Sequence, residues 1–219
     1  MASGWKTPTN KTRRLILLGD SIFDNGAYVE TGEKDVAAHL RARLSPEEWT
    51  VELRAVDGAV VGDVPAQLDR AVIEPRGVFV LSAGGNDALG CVGMLSDPTP
   101  YTIADVLAQF HGIKESFRDA YVATLDRIVA HNLPTIACTI YNPRFDEALL
   151  QRTAEAALSI FNDVITQEAM IRHVPIIDLR VVCSEAADFA NPIEPSHQGG
   201  GRIAGAIVAA LTGLGDRQT

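Results

Sequence analysis

Ser21 closes the tripeptide Gly19-Asp20-Ser21, directly behind the apolar run Leu15-Ile16-Leu17-Leu18. A serine placed on a tight turn at the end of a buried strand is presented to a cleft. Its hydroxyl becomes a nucleophile once a base takes its proton and hydrogen-bond donors hold the oxyanion that forms. Two further turn-rich segments stand behind apolar runs, Asp57-Gly58-Ala59-Val60-Val61-Gly62-Asp63 and Ser82-Ala83-Gly84-Gly85-Asn86-Asp87. Near the end comes Asn191-Pro192-Ile193-Glu194-Pro195-Ser196-His197, which carries an acid and an imidazole three residues apart. Taken singly each segment is ordinary: a turn, a helix cap, a loop. Their order along one chain gives them meaning.

The elements that must position these segments alternate strand with helix. Apolar runs at 14–18, 78–81, 135–139 and 174–179 and the alternating stretch 50–55 read as strands. Helical periods cover 34–44, where Val36, Leu40 and Leu44 recur every fourth residue, then 103–110, 113–131, 146–172 and 202–211. Asp63-Val64-Pro65 opens another helix, with Asp63 as its cap and Leu68 and Val72 facing inward. Asp97-Pro98-Thr99-Pro100 is a loop. This β-α-β-α order predicts an α/β fold: a doubly wound parallel sheet in a three-layer, flavodoxin-like α/β/α sandwich. Ligands in such sheets sit at the carboxyl ends of the strands, where Ser21, Gly62 and Asn86 all fall. Residues 1–13 read as a flexible segment and 14–219 as one domain.

Bulk properties narrow the class. The chain has 219 residues, 47% of them hydrophobic, enough for a sizeable core. A formal charge of −9 argues against nucleic acid as a partner, because a phosphate-binding surface should be basic. No apolar stretch is long enough for a membrane span, and the N-terminus lacks the apolar core of a secretory signal, so a cytoplasmic location is expected. Cys91, Cys138 and Cys183 are scattered without CxxC pairing, as reduced thiols rather than a metal or disulfide framework. Gly84-Gly85-Asn86-Asp87 lacks the spacing of a dinucleotide-binding loop.

In order and spacing the three turn-rich segments resemble the SGNH or GDSL hydrolase family, over nearly the whole chain. The resemblance makes Ser21 the nucleophile. It makes the Gly62 N–H and the Asn86 side-chain amide, with the N–H of Ser21, the donors of an oxyanion hole. The family's last block is Asp-x-x-His, whose histidine removes the serine proton while the aspartate orients it. Two registers fit here. In one, Glu194-Pro195-Ser196-His197 is that block, with His197 as base and Glu194 as its orienting acid. In the other, Pro195-Ser196 and Gly199 align with the usual continuation His-Pro-Ser-x-x-Gly. Glu194 then occupies the histidine position and Asn191 the aspartate position, and His197 falls a turn further on. Motif spelling favours the first, spacing to the closing helix the second. The catalytic set expected is Ser21, His197 and Glu194.

The resemblance implies an esterase or lipase that cleaves small-molecule acyl esters through a covalent acyl-enzyme, with no metal or organic cofactor. The alternative is a member of the fold that binds an acyl or sugar ligand without turnover. Asp20 is expected to brace the nucleophile turn, Asp87 to fix the Asn86 loop and Asp178 to cap a helix. The segment 89–113 stands where it would cover the cleft. His39, His111, His131 and His173 read as surface residues.

Overall fold

The computed structural model describes residues 12–96 and 99–215. Apart from Thr12 and Arg13, the expected flexible segment lies outside the described residues, as do Asp97 and Pro98 of the expected loop. Five strands, β1 (Arg13–Gly19), β2 (Trp49–Leu53), β3 (Gly77–Ser82), β4 (Thr135–Cys138) and β5 (Ile176–Ile177), form one parallel sheet in the order β2-β1-β3-β4-β5. Seven helices connect or flank them: α1 (Val36–Arg43), α2 (Val64–Asp69), α3 (Gly85–Leu89), α4 (Ile103–Val129), α5 (Ala148–Ile171), α6 (Leu179–Val182) and α7 (His197–Gly215).

Parallel strands need crossovers, and crossovers put helices on both faces of the sheet. The strands therefore carry apolar residues on both sides. Leu15 and Leu17 of β1, with Val78 and Val80 of β3, join α1 and α7 in one core. Ile16 and Leu18, with Phe79 and Leu81, join α2, α4 and α5 in the other. Each fully buried Leu or Ile contributes roughly 1.5–3 kcal/mol, so β1 anchors both layers at once. No helix among the described residues is long and apolar enough to cross a membrane.

Several elements differ from expectation. The expected helices 103–110 and 113–131 are one helix, α4, running through Gly112. A helical glycine costs only about 1 kcal/mol, and burial of Phe117, Tyr121, Leu125 and Ile128 on one face outweighs it. A Thr102–Asp105 capping box fixes its start. The last strand is shorter than 174–179, because Asp178 turns the chain into α6 by accepting the Arg180 N–H at 3.1 Å. α2 ends at Asp69, which leaves Val72 exposed rather than facing inward. The Gly85-Asn86-Asp87 loop is a helix, α3. The closing helix begins at His197, five residues before the expected start at 202.

Two side-chain amides lock strand ends. Gln67 of α2, fully buried, accepts from the Gly19 N–H at 2.8 Å and donates to the Gly19 carbonyl at 2.7 Å. Asn162 of α5 does the same to Ile140, just past β4, at 2.7 and 2.8 Å. Gly19 itself has φ +129°, and a Cβ there would fall 1.7 Å from the Ser82 carbonyl oxygen. Only glycine fits. Gly19→Ala is expected to lower unfolding free energy by more than about 3 kcal/mol. Gln67→Leu, which leaves the Gly19 N–H unpaired and its carbonyl with the Val56 N–H alone, is expected to cost about 1–3 kcal/mol. Urea denaturation of the two variants checks both values.

Candidate active site

The turn after β1 is built by Asp20. Its N–H donates to the Ser82 carbonyl at 3.2 Å, its carbonyl accepts from Phe23 and Asp24, and its Oδ1 accepts from the Ile22 N–H at 3.2 Å. Asp20 thus braces the turn as expected, with its carboxyl buried. That burial pushes its pKa up to about 7, opposed by the Ile22 N–H and reinforced by the nearby charges of Glu194 and Asp87. Ser21 is left at the wall of a cavity, 7% exposed.

The second and third segments are tied to each other. Gly84, at φ +121°, turns the chain from β3 into α3. Asn86 donates one N–H to the Ala59 carbonyl at 2.9 Å, which leaves its second N–H for another acceptor. Asp87 Oδ2 accepts from the Val61 N–H at 3.0 Å, so it fixes the turn that carries Gly62 as well as its own helix. Gly62 is the second residue of a one-turn 3-10 helix (Val61–Asp63), where the N–H has no partner within the helix. It is exposed and stands outside the lining of the cavity that holds Ser21 and Asn86.

The last segment presents Glu194, not His197. Its backbone is pinned almost atom by atom. Asn191 Oδ1 accepts from the N–H groups of Ile193 and Glu194 at 2.9 and 3.0 Å. The Tyr141 hydroxyl donates to the Ile193 carbonyl at 2.7 Å, and the Ala190 N–H to the Glu194 carbonyl at 2.9 Å. Asn25, fully buried four residues after Ser21, donates to the Pro195 carbonyl at 3.1 Å and accepts from the Val36 N–H at 2.9 Å. The Glu194 carboxyl lies in the same cavity as Ser21. Burial raises its pKa, the Ser21 hydroxyl acting on it from hydrogen-bonding range opposes that rise, and Asp57 adds to it.

His197 goes elsewhere, which corrects the expectation that it faces Ser21. It is the first residue of α7, and close packing of α7 on α1 draws that end of the helix onto α1. A Cβ on Gly200 would lie 3.3 Å from Val36, and one on Gly201 3.3 Å from His39. His197 Nδ1 accepts from the Lys34 N–H at 2.9 Å, and its ring packs on His39 at 4.6 Å between centroids. It does not line the cavity. Glu194 therefore does not orient it. His39, expected at the surface, is buried beneath it and reaches the His197 carbonyl through Nε2 at 3.0 Å. His111, His131 and His173 are exposed.

The cavity measures about 1040 Å³ with its open mouth. Asp20, Ser21, Asn86 and Glu194 mark its polar end. The remaining wall is apolar: Leu150, Ala154, Ala157, Leu158 and Phe161 from one face of α5, facing Phe110 and Ile113 of α4. The expected covering segment supplies Leu89, Val92 and Met94 to this wall. Sequence reasoning missed Asn25, Gln67 and Asn162. The signal available for the last two was a lone amide inside an apolar helical period.

The sequence matches the model of the GDSL-like Lipase/Acylhydrolase family over residues 17–200. A search of curated proteins found none that matches. Solved structures with the same fold include a lipase, Lip_vut3, from a goat rumen metagenome, 19% identical with a TM-score of 0.69 over 91% of this chain and 97% of that one. An extracellular lipase from Streptomyces rimosus is 20% identical, with a TM-score of 0.66 over 91% of this chain and 100% of that one. An acetyl xylan esterase, AlAXEase, is 17% identical, with a TM-score of 0.66 over 90% and 98%. With a match running from Leu17 in β1 to Gly200 in α7, this chain belongs to the GDSL-like Lipase/Acylhydrolase family.

Proposed function

We propose that the protein is a serine hydrolase that cleaves esters of apolar acyl chains through an acyl-enzyme on Ser21. The observation that carries this reading is the cavity itself: a serine at its polar end and an uninterrupted apolar wall between α4 and α5. The Ser21 hydroxyl attacks the ester carbonyl. The N–H of Ser21 and the free N–H of Asn86, which line the cavity, are the donors for the oxyanion, and the family resemblance adds the Gly62 N–H from the neighbouring turn; all are neutral groups that stabilise the developing charge without holding one beforehand. The acyl chain lies along Ala154, Ala157 and Phe161. Burying it there contributes about 0.8 kcal/mol per methylene, which favours a chain of several carbons over acetyl. Water then releases the acid.

A second reading, a protein that binds an acyl ligand without turnover, rests on the placement of His197 against Lys34 and His39, away from Ser21. A fluorophosphonate probe separates the two, since only an activated Ser21 reacts with it. Ser21→Ala is expected to abolish labelling and to lower p-nitrophenyl octanoate hydrolysis by roughly a thousandfold. Wild-type protein that stays unlabelled from pH 6 to 9 would favour the binding protein. Ala157→Leu fills the wall and is expected to lower kcat/KM for the octanoate by roughly tenfold relative to the acetate. Initial rates on the two esters measure it.

A further inference from the structure

We propose that Glu194 itself takes the proton from Ser21, so that the site works as a serine–carboxylate dyad without an imidazole. This rests on the ester-hydrolase reading and assigns its base. Glu194 is 7% exposed and shares the cavity with Ser21. Its Oε2 is buried without a hydrogen-bond partner. A carboxylate oxygen left in that state is costly, and the backbone around it is pinned by Asn25, Tyr141 and Asn191. A carboxylate that shares the cavity with the serine, feels its hydroxyl and keeps a lone pair free is suited to accept that proton.

Its surroundings strengthen it as a base. The ionisable groups acting on or beside it are Asp20 in the Ser21 turn, Asp57 after β2, and the phenols of Tyr28 and Tyr141. All are acids, so no neighbouring positive charge among them holds the carboxylate in its weakly basic form. Burial first, and the charge of Asp57 after it, raise the proton affinity of Glu194 above that of an ordinary carboxylate. Asp20, in the Ser21 turn, feels the Glu194 charge, which adds to the rise that its own burial causes.

The proton inventory closes. Glu194 begins ionised. As the Ser21 Oγ–carbon bond forms, the serine proton passes to the carboxylate. It then passes to the leaving alcohol oxygen as the ester C–O bond breaks. In the second half Glu194 takes a proton from water, whose oxygen bonds to the acyl carbon, and returns it to Ser21 Oγ as the acyl-enzyme bond breaks. The carboxylate is regenerated and no other reactant is needed.

The test compares Glu194→Gln, Glu194→His and His197→Ala with the wild type, reading octanoate hydrolysis against pH, the rate of fluorophosphonate labelling of Ser21, and thermal stability. The wild-type rate is expected to rise with pH as Glu194 ionises and then to level off. Glu194→Gln, nearly isosteric, is expected to lose this limb and about a hundredfold or more in both hydrolysis and labelling, with its melting temperature little changed. Glu194→His is expected to regain activity over Glu194→Gln, with a limb near the imidazole value of about 6.5. His197→Ala is expected to keep the wild-type rate and limb. If Glu194→Gln hydrolyses and labels like the wild type, or if His197→Ala is as inactive as Ser21→Ala, the assignment of the base is overturned while the hydrolase reading stands. A wild type that neither hydrolyses esters nor labels at Ser21 overturns both.

Discussion

Gly19 is held on two sides by groups that leave it no freedom. The Ser82 carbonyl presses against the space where a side chain would begin, and the Gln67 amide occupies both its N–H and its C=O. The rest of the site follows from that contact. It fixes the direction in which the chain leaves β1, and so where Asp20 can reach the Ile22 N–H and where Ser21 emerges. Asn25, four residues on, then ties the same turn to the Pro195 carbonyl and hence to Glu194. A serine and a carboxyl 173 positions apart in the sequence are related through a few backbone hydrogen bonds rather than through long side chains.

The polar end of the cavity sets an electrostatic problem that the fold meets without cations. Asp20, Asp87 and Glu194 all have raised proton affinities, in each case first because burial disfavours their charge. Backbone N–H groups compensate two of them, Ile22 for Asp20 and Val61 for Asp87. Glu194 has the Ser21 hydroxyl instead, and one oxygen with nothing. Of the three, Glu194 is thus the least satisfied carboxyl, and it shares the cavity with Ser21.

Much of this was legible in the sequence because it is local. Gly19-Asp20-Ser21 behind four apolar residues specifies a strand end and a tight turn, and both are found. The alternation of strands and helices led directly to the parallel sheet. What was not legible depended on contacts between distant segments. Whether α7 begins at His197 or five residues later decides which way the imidazole points. That start is set by glycines packing on Val36 and His39 of α1, which sequence spacing cannot reveal. Both registers were therefore open, and the helix-spacing one matches the observed placement of Glu194 and His197. Gly112 looked like a break between two helices because a lone glycine is a poor helix former, yet the buried face of α4 on either side carries the helix through it. The partners of Gln67, Asn25 and Asn162 were not legible for the same reason: an amide side chain gives no sign of which backbone it will grip.

Asn162 has one more consequence. It lies next to Phe161, and the residue whose N–H and C=O it grips is Ile140; both neighbours line the cavity. The far wall and the sheet end are thereby fastened together at hydrogen-bond precision. α5 cannot slide along the sheet without breaking those two bonds. For the acyl chain proposed above, the cavity is in effect a ruler with a fixed zero at the serine, and its graduations are cut by the side chains of α5.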